Sequence, residues 1–282
     1  MYDQLEAKLH DLFWAAEGQS EELALIEDFL QRYPGTALEL GCGSGRLLTP
    51  LLGKGYLLEG LDNSHDMLQL CQDNTAAFEP ILHQASIEKF RTGSTYGAVT
   101  IPAFTLQLID PEQISSVLAN IHQHLHPGGG LYLSTFIPWA EITGELEEGS
   151  WYLDQEATTP EGNSARCYTS FEIRRISQIL SREHRYEIVD DKNKVLEKST
   201  SVQQLTWFWQ REMALLLQHA GFTIQQVIGD FTPDLPCDDN CQVLTIIASR
   251  NPDNLDDSGD PSDSRDGEAR AAGADHRHDG SR

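Results

Sequence analysis

The sequence predicts an α/β protein: a Rossmann-like sheet with helices on both faces and a small antiparallel β insertion. Three observations carry that prediction. The short apolar run Ala37–Leu40 opens onto glycines at alternate positions, Gly41, Gly43 and Gly45, and an apolar pattern resumes at helical spacing through Leu47, Leu48, Leu51 and Leu52. That is strand, glycine turn and helix in succession. A second apolar run, 56–62, ends on Asp62, 17 residues beyond Gly45, as the second strand of an α/β nucleotide fold ends on an acid. Strand and helix patterns then alternate as far as Phe136, after which residues 140–205 carry strand patterns.

Ahead of the first strand, Leu9, Leu12 and Phe13, then Leu23, Leu25, Ile26, Phe29 and Leu30, form two apolar stripes split near Gly18-Gln19-Ser20. They predict two helices, with Ser20 capping the second. Ser64 is the expected N-cap of the helix after Asp62. Further strands are expected at 80–86 and 96–101. Residues 111–126 carry the stripe Ile114, Leu118, Ile121 and Leu125 and stop at Pro127-Gly128-Gly129-Gly130, a helix terminator. The fifth strand is expected at 131–136. Within the insertion, strands are expected at 167–173, 183–189 and 194–202, the last two joined by a turn at 190–193. A helix over 207–219 ending at Gly221 and strands at 223–228 and 242–249 complete the core. The expected organisation is a helical cap (1–35), a core (36–139), the insertion (140–205), the end of the core (206–250) and a tail (251–282). The tail holds nine acids, four arginines and a single large apolar residue, Leu255. Such a composition does not offset its ordering entropy, so disorder is expected.

Glycines at such a turn admit positive φ and close approach of a ligand, and the helix N-terminus favours a negative group. The dinucleotide pattern G-x-G-x-x-G requires glycine at position 46, where Arg46 stands, so the spacing departs from it. The pattern is instead E-x-G-x-G-x-G, led by Glu39. It resembles the first motif of class I S-adenosylmethionine (SAM) dependent methyltransferases, and the strand ending at Asp62 resembles the second. The resemblance covers 36–136 and, less closely, 204–250. It implies a seven-stranded methyltransferase sheet, SAM as cofactor, and a small-molecule acceptor methylated at N, O or S.

Residue by residue, the resemblance implies that Glu39 suits the ammonium of the methionine end. Gly41, Cys42, Gly43, Gly45 and Arg46 form the turn, with Cys42 chosen for small size. Asp62 is the ribose-binding acid, with Asn63 beside it, and Met67 flanks the adenine. At the end of the third strand the family usually has an acid. Here Ala85 and Ser86 stand there, leaving Ser86, Ile87, Glu88 or a backbone group for the adenine. Ile101 closes the fourth strand. The Asn/Asp-Pro-Pro-Tyr/Phe motif of enzymes that methylate DNA adenine or protein glutamine is absent, replaced by Ile101-Pro102-Ala103-Phe104. Phe104, Gln107 and Phe136 are the expected acceptor-binding residues of the core. Tyr2 and Trp14 join them from an N-terminal segment of the kind that covers the cofactor. The insertion is similar to that of glycine- and amino-sugar-type N-methyltransferases, where it covers the site or builds a homodimer.

Methyl transfer is an in-line displacement that needs alignment and exclusion of water. A neutral amine or thiolate needs no strong base, so no catalytic residue is identified from sequence. A hydroxyl would need one, and His83, His122 and His124 are the candidates. His122, His124 and His126 stand two apart and point in different directions on a helix, and Cys237 and Cys241 lack a second pair, so no metal site is expected.

The formal charge of −24 argues against nucleic-acid substrates, which require a basic surface, and favours neutral or cationic small molecules. The first residues are acidic where a signal peptide is basic, and no apolar run reaches the length of a membrane span. Five cysteines without a disulfide framework fit a reduced compartment, so a cytoplasmic location is expected. Two alternatives stay open: a non-catalytic SAM-binding regulatory protein, and an NAD-dependent oxidoreductase, against which Arg46 stands.

Overall fold

The computed structural model describes residues 4–16 and 21–252. Tyr2, Ser20 and the tail from residue 253 lie outside the described residues, as does the side chain of Trp14. Helices α1 (Gln4–Ala16) and α2 (Glu21–Arg32) precede β1 (Ala37–Leu40), α3 (Leu48–Gly53), β2 (Leu58–Asp62), α4 (His65–Asn74), β3 (Leu82–Gln84), β4 (Tyr96–Ile101), α5 (Ile114–His124) and β5 (Leu125–Phe136). A short helix, α6 (Trp139–Thr143), leads to β6 (Tyr152–Thr158), β7 (Ser164–Arg174), β8 (Ile179–Val189) and β9 (Val195–Thr206). The chain then returns through α7 (Gln210–His219), β10 (Phe222–Gly229) and β11 (Val243–Arg250).

Seven strands form one sheet in the order β10-β11-β5-β4-β1-β2-β3, and β6 to β9 form a separate four-stranded sheet. Strands β1 to β5 pair in parallel, while β11 runs antiparallel to both β5 and β10. The chain order reverses at β1, whose neighbours are β2 and β4. A crevice therefore opens at the carboxyl ends of β1 and β4, where open α/β sheets bind ligands.

Side chains alternate across each strand. Leu38, Leu40, Val99, Leu131 and Leu133 meet Ile114, Leu118, Ile121, Met213 and Leu217 of α5 and α7. Ala37, Ala98 and Tyr132 meet Leu25, Ile26, Phe29, Leu48 and Leu68 of α2, α3 and α4. Both sheet faces are covered, as a parallel sheet requires.

The elements depart from the expected ones in three places. The insertion has four strands, because β6 pairs with β7. It is an edge strand with most residues half-buried or exposed, so its sequence carries no clean apolar alternation. Strand β5 begins at Leu125 and runs through the Pro-Gly-Gly-Gly segment. Trp207 and Phe208 are buried core residues ahead of α7 rather than its first turn. Ser64 caps α4 as expected, accepting from the Met67 amide at 3.3 Å. The turn at 190–193 closes on Asp190 Oδ1, which accepts from the amides of Lys192 and Lys194 at 2.9 Å each.

Candidate active site

The site is built outward from the glycine turn. The amides of Gly41 and Cys42 both donate to the Leu61 carbonyl, at 2.7 and 3.0 Å, which ties the turn to the end of β2. Gly41 has φ +75°, and a Cβ there would overlap the Thr105 side chain. Gly43 has φ +55°, and the nearest atom to a Cβ there is Met67 Cε at 4.0 Å, so that position faces open space. Asp62 lies beneath the turn: Oδ2 accepts from the Gly43 amide at 2.9 Å and Oδ1 from the Ser64 amide at 2.8 Å. The carboxylate is thereby fixed at the mouth of the crevice.

Two glutamates are buried at the crevice, Glu39 in the cavity lining and Glu22 behind it. Glu39 is 2% exposed, and burial, with smaller contributions from Cys71, Glu22 and Asp62, pushes its carboxyl up to about 8 against the pull of Arg46. Glu22, on α2, accepts from Ser134 Oγ at 2.6 Å, from Tyr132 Oη at 3.3 Å and from the Ala103 amide at 3.2 Å. Burial raises its carboxyl as well, opposed by these donors and Arg46. The Ala103 contact matters because Ala103 and Phe104 hold φ of +50° and +62°, values that cost free energy in non-glycine residues and persist where the surroundings enforce them. Glu22 and Ser134, whose Oγ accepts from the Phe104 amide at 3.4 Å, supply that enforcement. The Phe104 ring meets Phe136 edge-on at 5.0 Å.

The insertion forms the far wall. On β8, Arg182, His184 and Tyr186 alternate on one face, opposite Phe171, Thr169 and Cys167 of β7 and Gln203, Ser201 and Ser199 of β9. Helix α1 closes the remaining side. Phe13 packs with Tyr186, Glu6 accepts from Tyr186 Oη at 3.0 Å, and Ser44 of the glycine turn donates to Asp11 at 2.5 Å. Turn, α1 and insertion line a cavity of about 360 Å³, within the range of small-molecule sites.

Among the residues expected to bind the cofactor, Glu39, Gly41, Cys42, Gly43, Arg46, Asp62, Asn63, Met67 and Ile87 line this cavity, as do Phe104 and Phe136 on the acceptor side. Four of the expected residues do not line it. Gly45 faces the protein interior, where a Cβ would come within 2.8 Å of Cys71 Sγ. Ser86 does not line the cavity and donates instead to Glu88, which does. Ile101 is wholly buried in the core between sheet and α5. Gln107 is 1% exposed and acts as a backbone clamp. Its Nε2 donates to the Phe136 and Thr206 carbonyls at 3.0 and 3.2 Å, and its Oε1 accepts from the Phe136 amide at 2.8 Å.

The candidate bases His83, His122 and His124 lie outside the cavity lining. His83 pairs with Glu59 at 2.8 Å, and His124 stacks on Phe90. The histidine in the cavity is His184, which sequence reasoning missed along with Glu6, Asp154 and Gln203. Strand alternation on β8 marks the face His184 occupies, but nothing local says which face turns inward.

The cradle tests well for a ligand with a cationic and a sugar end: an open glycine position, a buried carboxyl at its floor and a fixed carboxylate at its edge. Residues 37–129 match the family model described as a methyltransferase domain. The first half of the core, from β1 to the start of β5, is therefore similar to a methyltransferase domain. Curated relatives of the methyltransferase domain include the carboxy-S-adenosyl-L-methionine synthase of Shewanella oneidensis, 31% identical over 144 residues, 46% of this chain and 58% of that protein. The chain thus spans little more than half the length of the curated relatives it matches. Solved structures of similar fold include a SAM-dependent methyltransferase from Clostridium acetobutylicum (TM-score 0.71, 14% identity, 87% of this chain and 97% of that one). An amino pentose methyltransferase from Micromonospora echinaspora superposes with TM-score 0.66 at 21% identity, over 89% and 98% of the two chains. The CcbJ methyltransferase of Streptomyces caelestis matches with TM-score 0.70 at 19% identity, over 89% and 100%. These likenesses extend the shared fold across the insertion as well as the methyltransferase domain.

Proposed function

We propose that the protein binds SAM at the glycine turn and catalyses transfer of its methyl group to N, O or S of a small-molecule acceptor. The observation that carries this is the convergence on one cavity of Glu39, Gly43 and Asp62 with Phe104, Phe136 and the insertion. When bound, the donor supplies an electrophilic methyl group on a sulfonium. Glu39 holds its ammonium, Asp62 its ribose, and Met67, Ile87 and Glu88 surround the adenine. Phe104 and Phe136 orient the acceptor, while α1 and the insertion keep water out.

The curated relatives' name describes synthesis of a carboxylated SAM. A further carboxylate fits poorly here, because Glu6, Asp62, Glu88 and Asp154 outnumber Arg46 and Arg182 in the cavity lining and like charges repel. The acceptor side of amino pentose methyltransferases is the closer chemical guide.

A cytoplasmic location belongs to the same proposal, supported by five free cysteines. Among the described residues no helix is long and apolar enough to cross a membrane. Thermal-shift titration with SAM and with NAD tests the binding half: stabilisation by SAM alone is expected, and stabilisation by NAD alone would overturn it. Appearance of S-adenosylhomocysteine on adding SAM and a cell extract tests turnover. Binding without turnover across extracts would favour a regulatory SAM-binding protein.

A further inference from the structure

The insertion gathers a set of side chains that donor binding does not use. His184 stands opposite Thr169 in the sheet register, with Nδ1 2.9 Å from Thr169 Oγ1. Thr169 Oγ1 donates to Asp154 Oδ2 at 2.8 Å. A hydroxyl has one proton and a carboxylate only accepts, so Thr169 donates to Asp154 and must accept from His184. That count places the imidazole proton on Nδ1 and leaves Nε2 as the lone-pair nitrogen. The ring lines the cavity together with Gln203 of β9, and Asp154 is exposed at the edge strand, which connects the chain of hydrogen bonds to solvent.

We propose that Asp154, Thr169 and His184 form a proton relay in which His184 Nε2 is the general base for an amine acceptor. This rests on the methyl-transfer function above and deepens it. The amine class follows from the walls. Glu6 and Asp154 line the acceptor end, and Arg182 beside them is committed to Glu141 Oε1 at 2.5 Å, with its guanidinium 5.4 Å from the Phe136 ring centroid. An acceptor entering as an ammonium is attracted there but has no lone pair. His184 Nε2 removes one proton, and the freed nitrogen lone pair forms the N–C bond to the methyl group. The C–S bond breaks and its electron pair stays on sulfur. The imidazolium, favoured by Asp154 and Gln203, donates from Nδ1 to Thr169 until the proton leaves to solvent.

The surroundings keep the base neutral. Burial, reinforced by Arg182, holds His184 below the ordinary histidine value, while Asp154 and Gln203 pull it back up. The groups facing it are Asp154 on β6, Cys167 and Thr169 on β7, Arg182 and Tyr186 on β8, Gln203 on β9, and Glu6 of α1 through the Tyr186 hydroxyl. Cys167 Sγ lies 3.8 Å from His184 Nδ1, and burial pushes its thiol up to about 11, so it stays protonated near neutral pH.

Imidazole nitrogen NMR on the full chain with S-adenosylhomocysteine added tests the relay without any acceptor. Expected is an Nδ1–H tautomer titrating below the ordinary histidine range, with Thr169→Val releasing the tautomer preference. An Nε2–H tautomer overturns the relay. So does stoichiometric zinc in the purified chain by elemental analysis, since Asp154, Cys167 and His184 bring ligand atoms within 4.8 Å of one another. Transfer is then followed with SAM and a panel of glucosamine, galactosamine and ethanolamine. His184→Gln is expected to lower kcat about a hundredfold with SAM affinity changed less than about twofold, and Asp154→Asn to lower it less while shifting the acidic limb of the pH profile down. Retention of kcat within about threefold by His184→Gln, or SAM binding by wild type without methylation of any amine on the panel, overturns the proposal. Failure of wild type to bind SAM overturns the methyl-transfer function itself.

Discussion

At the scale of single residues, Glu39 is the most informative side chain. Its carboxyl sits at about 8 in the folded chain against an ordinary 4.5. A raised carboxyl stabilises the fold fully below the unfolded value, and that stability is lost as pH rises from about 4.5 through 8. An ammonium placed beside it favours the ionised form, so donor binding releases a proton in this window. SAM affinity is therefore expected to rise between pH 6 and 7.5, by up to about tenfold per unit. Glu39→Gln should weaken binding and flatten that dependence; calorimetry across the range checks both, and an unchanged slope would refute the assignment. Gly41 makes a steric prediction. Its backbone is left-handed and a Cβ would overlap Thr105, so Gly41→Val should destabilise the chain by more than about 1 kcal/mol, measured by urea unfolding, and abolish SAM binding.

At the scale of elements, α1 joins two parts of the site, the glycine turn and the insertion. Asp11 receives the Ser44 hydroxyl of the glycine turn, and Glu6 and Phe13 meet the insertion through Tyr186. Asp11→Ala removes the first of these links. A hydrogen bond to a charged group contributes about 1.5–3 kcal/mol, so SAM dissociation should accelerate about tenfold or more, with little change in global stability; stopped-flow fluorescence would record it. The insertion's inward face is set by register. Thr169, His184 and Ser201 are mutual partners across β7, β8 and β9, and a one-residue slip would turn all three away from the cavity. Gln107 and Glu22 show why some roles are not legible in the sequence. Both lie close to the crevice in sequence terms or in space, yet their partners, Phe136, Thr206, Ser134 and Tyr132, are contributed by strands that neither residue adjoins in the chain.

At the scale of the molecule, binding and stability are linked. A ligand at 100 times its dissociation constant stabilises the folded state by about 2.7 kcal/mol, which for a chain of this size raises Tm by about 5–10 °C. S-adenosylhomocysteine should produce that shift in scanning calorimetry, and its absence at saturating ligand would remove the basis for the proposed function. Leu153, Val195, Leu196 and Val202 of the insertion are exposed, the last at 75%.

Alternation, glycine spacing and terminal acids are short-range signals, written within about 30 residues of chain. From them the sequence by itself determined the strand–turn–helix cradle, the acids at 39 and 62, the order of elements in the core and the presence of an antiparallel insertion. Only the tertiary structure decided which side of that insertion turns inward, that Gln107 is a clamp, that Glu22 enforces the left-handed backbone at Ala103 and Phe104, and that His184 rather than His83, His122 or His124 enters the cavity. Those outcomes depend on packing between segments far apart in the chain. A buried polar side chain takes its role from the partners that packing supplies, and no local pattern encodes them.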